Sequence, residues 1–259
     1  MSESVFARVG PGRFRATPLA RGPWDPQAQH GGAAAALLVR ELERVAGDPP
    51  LVLARLTLEF LRPVPLDELE VEIGVMRTGR RVQLLEGWLR NESGREMVRA
   101  RALRLMPSEV PGFSDREPPP TPPERGEASD YPATEPTFAT DAMDIRFIEG
   151  AFQQPGPACA WFRLRHPLVQ GEPTSSLQRL AAAADFGNGI SATVSWDDHV
   201  FINPDLTLYI EREPEGEWIC LRAKTTIHPG SIGIAESVLY DLRGRVGHAS
   251  QALLVARRG

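Results

Sequence analysis

Leu56-Thr57-Leu58-Glu59-Phe60-Leu61-Arg62 decides the fold, because it returns as Leu206-Thr207-Leu208-Tyr209-Ile210-Glu211-Arg212. The register continues without a gap: Glu86 returns as Glu236, Leu89 as Leu239, Gly94-Arg95 as Gly244-Arg245, and Ala102-Leu103 as Ala252-Leu253. A register shared over that span marks two copies of one supersecondary unit. Two copies make a duplicated domain rather than a solenoid. Chemistry is therefore to be sought where the copies differ.

Working outward, residues 33–46 open with four alanines and carry Leu37, Leu38 and Leu42 at helical spacing, with Gly47 closing a predicted helix. Such a small-residue face suits a helix pressed closely against a sheet. Strand-like segments cover 5–9, 13–17, 51–61, 69–77, 80–91 and 95–106, with hairpin turns at Thr78-Gly79-Arg80 and Asn91-Glu92-Ser93-Gly94. The second half repeats the plan: strands over 144–152 and 158–165, a helix over 175–186, then strands over 200–213, 218–227, 232–242 and 246–257. Gly187-Asn188-Gly189 reads as a helix stop requiring positive φ. Between the copies, residues 107–136 are rich in Pro and Glu, which predicts an extended, polyproline-like tether. The expected class is α+β: a tandem double hot-dog, two long helices each wrapped by an antiparallel sheet, the sheets joined edge to edge. Its domains would be 1–106 and 138–259, with a linker over 107–137.

Composition sets limits on function. With 29 Lys and Arg against 34 Asp and Glu, the net charge is −5, which disfavours nucleic acid as a partner. The first 22 residues hold four arginines and no continuous apolar run, so neither a signal peptide nor a membrane span is expected there. Cys159 and Cys220 are far apart in sequence without a partner motif, as expected of two inert thiols in a reducing, cytoplasmic setting. No metal or cofactor is expected. Asp197-Asp198-His199 is the nearest approach to a ligand cluster, and His30, His166, His228 and His248 lack ligand spacing. Gly-x-Ser-x-Gly, Rossmann and P-loop signatures are absent.

Two places invite a chemical reading. Asp185 follows four alanines and precedes Phe186 on a helix expected to be buried, where a carboxylate is costly unless paired or functional. No carboxylate occupies residues 31–40 of the first copy. The structural alternative is a helix-end residue capping the glycine turn. His30-Gly31-Gly32 opens the first helix, where unpaired amides and the positive dipole end suit an oxyanion or thioester carbonyl. The structural alternative there is a helix start that needs small residues.

Four stretches together resemble the acyl-CoA thioesterase II group of double hot-dog proteins, in particular its short actinobacterial-type members. They are Gly31-Gly32, Phe60-Leu61-Arg62-Pro63, Ala182-Ala183-Ala184-Asp185, and Gly244-Arg245-Val246-Gly247-His248-Ala249-Ser250-Gln251. The resemblance covers nearly the whole chain outside the Pro-rich segment. It implies that a helix aspartate, a strand Thr or Ser, and a last-strand Gln hold the water that attacks a thioester. Asp185 takes the first role and Gln251 the third, with Ala252 the alternative register. The middle role falls to Asn203, or in another register to Ser195 or Thr193. An amide at that position retains hydrogen bonding without a hydroxyl.

The resemblance thus implies an acyl-CoA thioesterase with Asp185, Gln251 and Asn203 catalytic, and with His30, Gly31 and Gly32 binding the substrate. Association into a homo-oligomer follows by the same analogy. Two other readings stay open. One is a hot-dog hydratase, faintly suggested by Phe201-Ile202-Asn203-Pro204, though Ile202 and Leu206 stand where that motif needs Asp and His. The other is a non-catalytic acyl-CoA binding protein.

Overall fold

Strands β3 (Val52–Phe60) and β11 (Asp205–Ile210) lie side by side and antiparallel, so that the repeated tripeptides meet each other. Leu56 pairs with Leu208, Thr57 with Thr207 and Leu58 with Leu206. The Thr207 hydroxyl donates to that of Thr57 at 3.2 Å, on a local two-fold axis relating the copies. The computed structural model describes residues 3–47, 51–108, 117–129, 131, 135–230 and 232–258.

From this seam the strands run outward in matching order. On one side stand β6 (Glu96–Leu105), β5 (Val82–Asn91), β4 (Glu68–Arg77), β2 (Arg13–Ala16) and β1 (Phe6–Gly10). On the other stand β14 (Gly244–Arg257), β13 (Gly233–Asp241), β12 (Ile219–Ile227), β9 (Gln154–Leu164) and β8 (Met143–Ala151), with short β7 (Glu127–Ala128) at the edge. Strand β10 (His199–Ile202) pairs with the last residues of β14. Period-two alternation puts Leu56, Leu58, Leu85, Leu89, Leu206 and Leu208 on the buried face.

Helices α1 (Gly31–Glu43) and α2 (Ser176–Ala184) cover that face. Ala33 to Ala36 and Ala181 to Ala184 are all buried. The small residues serve a helix–helix contact as well as a helix–sheet contact, since the backbones of α1 and α2 lie close together. A Cβ on Gly32 would overlap the Ala182 carbonyl. Each helix has a side-chain cap: His30 Nδ1 accepts from the Gly32 amide at 3.0 Å, and Ser175 Oγ from that of Gln178 at 3.1 Å.

Three sequence expectations need correction. Gly187-Asn188-Gly189 does not adopt positive φ; it forms a further helical turn, α3 (Gly187–Ile190), after a break at Asp185. Gly187 is needed instead for close approach, because a Cβ there would lie 2.7 Å from Ser237 Oγ and 2.9 Å from Gln251 Oε1. The strand expected over 200–213 is broken at Asn203-Pro204, where proline removes a ladder donor. The Pro-rich segment, where described, is docked rather than a free tether. The Thr121 carbonyl accepts from Trp161 Nε1 at 2.8 Å, Glu117 accepts from the Tyr240 hydroxyl at 2.5 Å, and β7 pairs with β8. Trp161 and Tyr240 are buried with polar tips that need acceptors, and proline carbonyl chains offer them freely. Cys159 and Cys220, far apart in sequence, are brought within 3.5 Å beneath this segment as free thiols.

Gly247 makes the close approach of β14 to β11 testable. It sits at φ 155° beside a register shift in the β13–β14 pairing, and a Cβ would overlap the Tyr209 carbonyl on β11. Gly247→Ala should cost about 2–3 kcal/mol. For a chain this size that is a fall of roughly 5–10 °C in melting temperature, read by calorimetry.

Candidate active site

The two-fold pairing lays the start of α1 against the end of α2. Asp185, the C-cap of α2, therefore meets His30 and the glycine pair. Asp185 is 5% exposed and lines a cavity of about 450 Å³ together with His30, Gly31 and Asn203. Its carboxylate is well partnered. Oδ1 accepts from Asn203 Nδ2 at 2.8 Å and from Gln251 Nε2 at 3.3 Å, while Oδ2 lies 3.1 Å from His30 Nδ1. The Gly32 amide also donates to this carboxylate. Burial pushes the Asp185 pKa up to about 7 against these opposing hydrogen bonds. Burial likewise lowers His30 to about 3. The pair is thus a neutral imidazole beside an acid that titrates near neutrality, not an ion pair.

The sequence-predicted residues converge unevenly. Asp185, Asn203, Gln251, His30, Gly31 and Gly32 come together. Asn203 Nδ2 spans Asp185 Oδ1 (2.8 Å) and the Asp205 carbonyl (3.1 Å). Thr193 and Ser195 are exposed, and Ser195 Oγ instead accepts from the Asp197 amide in a turn. Gln251 is buried beside Asp185, while Ala252 is only half-buried. Gln251 does not line the cavity; its Oε1 accepts from the Asn188 amide at 3.1 Å, at the start of α3. The glycines owe their identity to packing. Gly31 faces Asp185 Oδ2, which a Cβ would approach to 2.6 Å, and Gly32 faces the Ala182 carbonyl.

Sequence reasoning missed the aromatic wall. Trp24 and Trp196 stack at 4.9 Å, Phe201 stands edge-on to both, and Tyr131 and Phe152 extend the lining. The available signal was position: Trp24, Tyr131 and Trp196 all lie in segments without apolar periodicity, where a large ring needs a reason to be. Sequence reasoning also missed the twin end. There Glu43, at the end of α1, accepts from Ser175 Oγ (2.7 Å) and Gln178 Nε2 (2.7 Å) at the start of α2. An acid thus exists at both ends, but only Asp185 opens on the aromatic cavity. Among the described residues no cluster of His, Cys, Asp or Glu suits a metal, and no helix is long and apolar enough to cross a membrane.

Comparison with known families decides the identity. Residues 20–105 match the acyl-CoA thioesterase N-terminal domain, and residues 107–255 match the acyl-CoA thioesterase C-terminal domain. The chain belongs to the acyl-CoA thioesterase family. It is a thioester hydrolase, and the site at the α1–α2 junction is where these paired domains meet. Solved structures share its hot-dog fold. A hot-dog protein of unknown function from Alicyclobacillus acidocaldarius superposes with a TM-score of 0.75 at 16% identity, covering 98% of this chain and 96% of that one. A Thermobifida fusca YX protein assigned as a thioesterase II gives 0.74 at 20% identity, covering 97% and 95%. Acyl-CoA thioesterase II TesB2 from Mycobacterium marinum gives 0.71 at 16% identity, covering 98% and 96%. No curated protein matches the sequence significantly.

The raised acid carries a stability cost with a definite sign. A folded pKa above the unfolded one means the contribution of Asp185 is full in acid, below its unfolded value, and lost as pH rises through about 7. Asp185→Asn keeps an acceptor for Asn203 and Gln251 and supplies a donor toward His30 Nδ1. That variant should be more stable than the parent at pH 8 by about 1–3 kcal/mol, the gap closing below pH 4. Paired denaturant melts at the two pH values read this.

Proposed function

We propose that the chain is a tandem double hot-dog in which α1 and α2 are the two central helices, and that Asp185 activates the water that hydrolyses an acyl-CoA. The observation that carries this is the convergence of a buried acid, an amide side chain and a helix start on one aromatic-lined cavity. A general base is most effective when its pKa lies near the working pH, which burial of Asp185 provides. Both N–H groups of Asn203 are committed, to Asp185 and to Asp205, so its carbonyl oxygen is left to accept from a water in the cavity. Gln251 acts one layer back, tying the carboxylate to the α3 amide of Asn188 and so fixing its direction.

The Gly32 amide is engaged by His30 Nδ1 and Asp185, so it is not free to meet a substrate oxygen. Gly31 is the first residue of α1, where an amide has no intrahelical acceptor, and it lines the cavity. Its N–H, backed by the helix dipole, is the donor we assign to the thioester carbonyl as negative charge develops on the oxygen. The acyl group then lies along Trp24, Trp196, Tyr131 and Phe152, an apolar surface that excludes water from the chain while leaving the carbonyl at the polar end. Attack forms the carbon–oxygen bond, expels the thiolate of coenzyme A, and leaves the water proton on Asp185.

Release of free thiol from acyl-CoAs of graded length tests this reading. Asp185→Asn should lower kcat by about 10²–10⁴-fold. The parent rate should rise with pH to a plateau above about pH 7, because only the ionised carboxylate is a base. Asn203→Ala should lose less, since only the hold on the water and one hydrogen bond to the base disappear. Undiminished turnover by Asp185→Asn would overturn the assignment.

A further inference from the structure

We propose that His30 is a second catalytic group of this site, which carries a proton from Asp185 to the departing sulfur of coenzyme A. The proposal rests on Asp185 acting as the base and goes beyond it. Three facts of geometry place the ring. Its Nδ1 is 3.1 Å from Asp185 Oδ2, the carboxylate oxygen that neither Asn203 nor Gln251 engages. Its Nε2 has no hydrogen-bond partner among the described residues and is not sealed from solvent, and the ring forms one wall of the cavity. The ring is held in place, stacked on Phe186 at 4.3 Å and tilted against Phe138 at 5.2 Å. Asp185 is the charged group that meets it; the aromatic rings cover its faces.

A bare nitrogen and a carboxylate oxygen at 3.1 Å repel unless one proton lies between them. The one Nδ1 lone pair accepts from the Gly32 amide, which keeps the ring proton on Nε2; the same amide also reaches the Asp185 carboxylate, so it can shift its bond there as Nδ1 turns to Oδ2. Proton uptake by Asp185 therefore relieves the repulsion by forming Oδ2–H to Nδ1. The full step balances. Water oxygen bonds to the thioester carbon, and the carbon–sulfur bond breaks with its electron pair going to sulfur. One water proton reaches Asp185 and passes on to Nδ1, while the Nε2 proton goes to sulfur. The products are the free acid, which carries the remaining water proton, and the thiol; the ring has changed tautomer and the carboxylate is restored. The first tautomer returns as Nε2 takes a proton from cavity water while Nδ1 hands its own back to Asp185, which then neutralises the hydroxide left behind. A neutral ring is required throughout, and the apolar surroundings keep it neutral.

His30→Asn isolates this role, because asparagine is a good helix N-cap and keeps an acceptor for the Gly32 amide. The expected result with an acyl-CoA is a loss in kcat of about 10²-fold with KM and melting temperature little changed. With an S-aryl thioester of the same acid, whose thiolate is far less basic and leaves without a proton, the loss should shrink below about 10-fold. A purely structural cap would not distinguish the two substrates. Equal losses on both, or parent rates on both, overturn the proposal. Asp185→Asn run beside it should fail on both substrates. Retention of its activity would instead sink the base assignment, so the two failures are distinguishable. Should His30→Asn not fold, nitrogen-15 spectra of the parent decide. The His30 ring should be neutral at pH 5 and carry its proton on Nε2, and a proton on Nδ1 there overturns the proposal.

Discussion

The structure depends on one pairing: strand β3 zipped antiparallel to its own duplicate, with Thr57 against Thr207 at the centre. An antiparallel pairing of two copies is a two-fold operation, and everything attached to each strand must obey it. The helices that follow the same operation run in opposite directions across the buried face, so the start of one is obliged to meet the end of the other. Neither copy alone contains both a helix start and a helix end at one place. The composite site is a consequence of the seam, and the small residues of α1 and α2 are what allow the two backbones to come close enough for it to matter.

The same symmetry makes two such junctions, and the copies have treated them differently. At one, Glu43 is bound by Ser175 and Gln178 and lies against a small cavity of about 240 Å³ that also takes in Arg104 and Glu213. At the other, Asp185 is surrounded by amides and an imidazole and opens on aromatic rings. Burial raises the pKa of Glu43 as well, but this is a carboxylate whose hydroxyl, amide and arginine neighbours draw it back down. One whose neighbours are neutral and whose far side is apolar is held near its own titration point, where proton transfer in either direction costs little. Position 203 shows the divergence in a single side chain. Its counterpart in the first copy is Leu53, which lines the small cavity together with Glu43 but has no polar side-chain atom to offer it.

Much of the architecture was legible because duplication and alternation are one-dimensional signals. The 150-residue register implied the two-fold seam, and alternating leucines located the buried face. The family pattern singled out Asp185, Asn203 and Gln251, which do lie together, and the lone carboxylate after an alanine run drew attention to the same place. What escaped was anything that depends on how close two segments come in space. No sequence rule separates a glycine kept for positive φ from one kept because Gln251 presses on it, as at Gly187. The Pro-rich stretch looked like a spacer because proline forbids regular structure. Its carbonyls were overlooked as acceptors for Trp161 and its backbone as an edge strand. The histidine at the helix start was read only for the amides it precedes, and its contact with an acid far away in sequence had no local trace.

The acid also shows why the site is placed where it is. Burying a carboxylate costs several kcal/mol unless hydrogen bonds replace its water. At a free helix end those partners would be solvent, and the pKa would stay ordinary. At the junction they are the side chains of two other segments, Asn203 and Gln251, and the backbone of the other copy. These partners compensate incompletely, which leaves the acid raised rather than locked in its charged form. A stronger set, such as an arginine in place of Asn203, would instead hold the acid in its charged form. The marginal solvation of Asp185 is therefore a property of the seam itself. Only where two copies meet imperfectly can an acid be buried well enough to stay folded and poorly enough to take a proton.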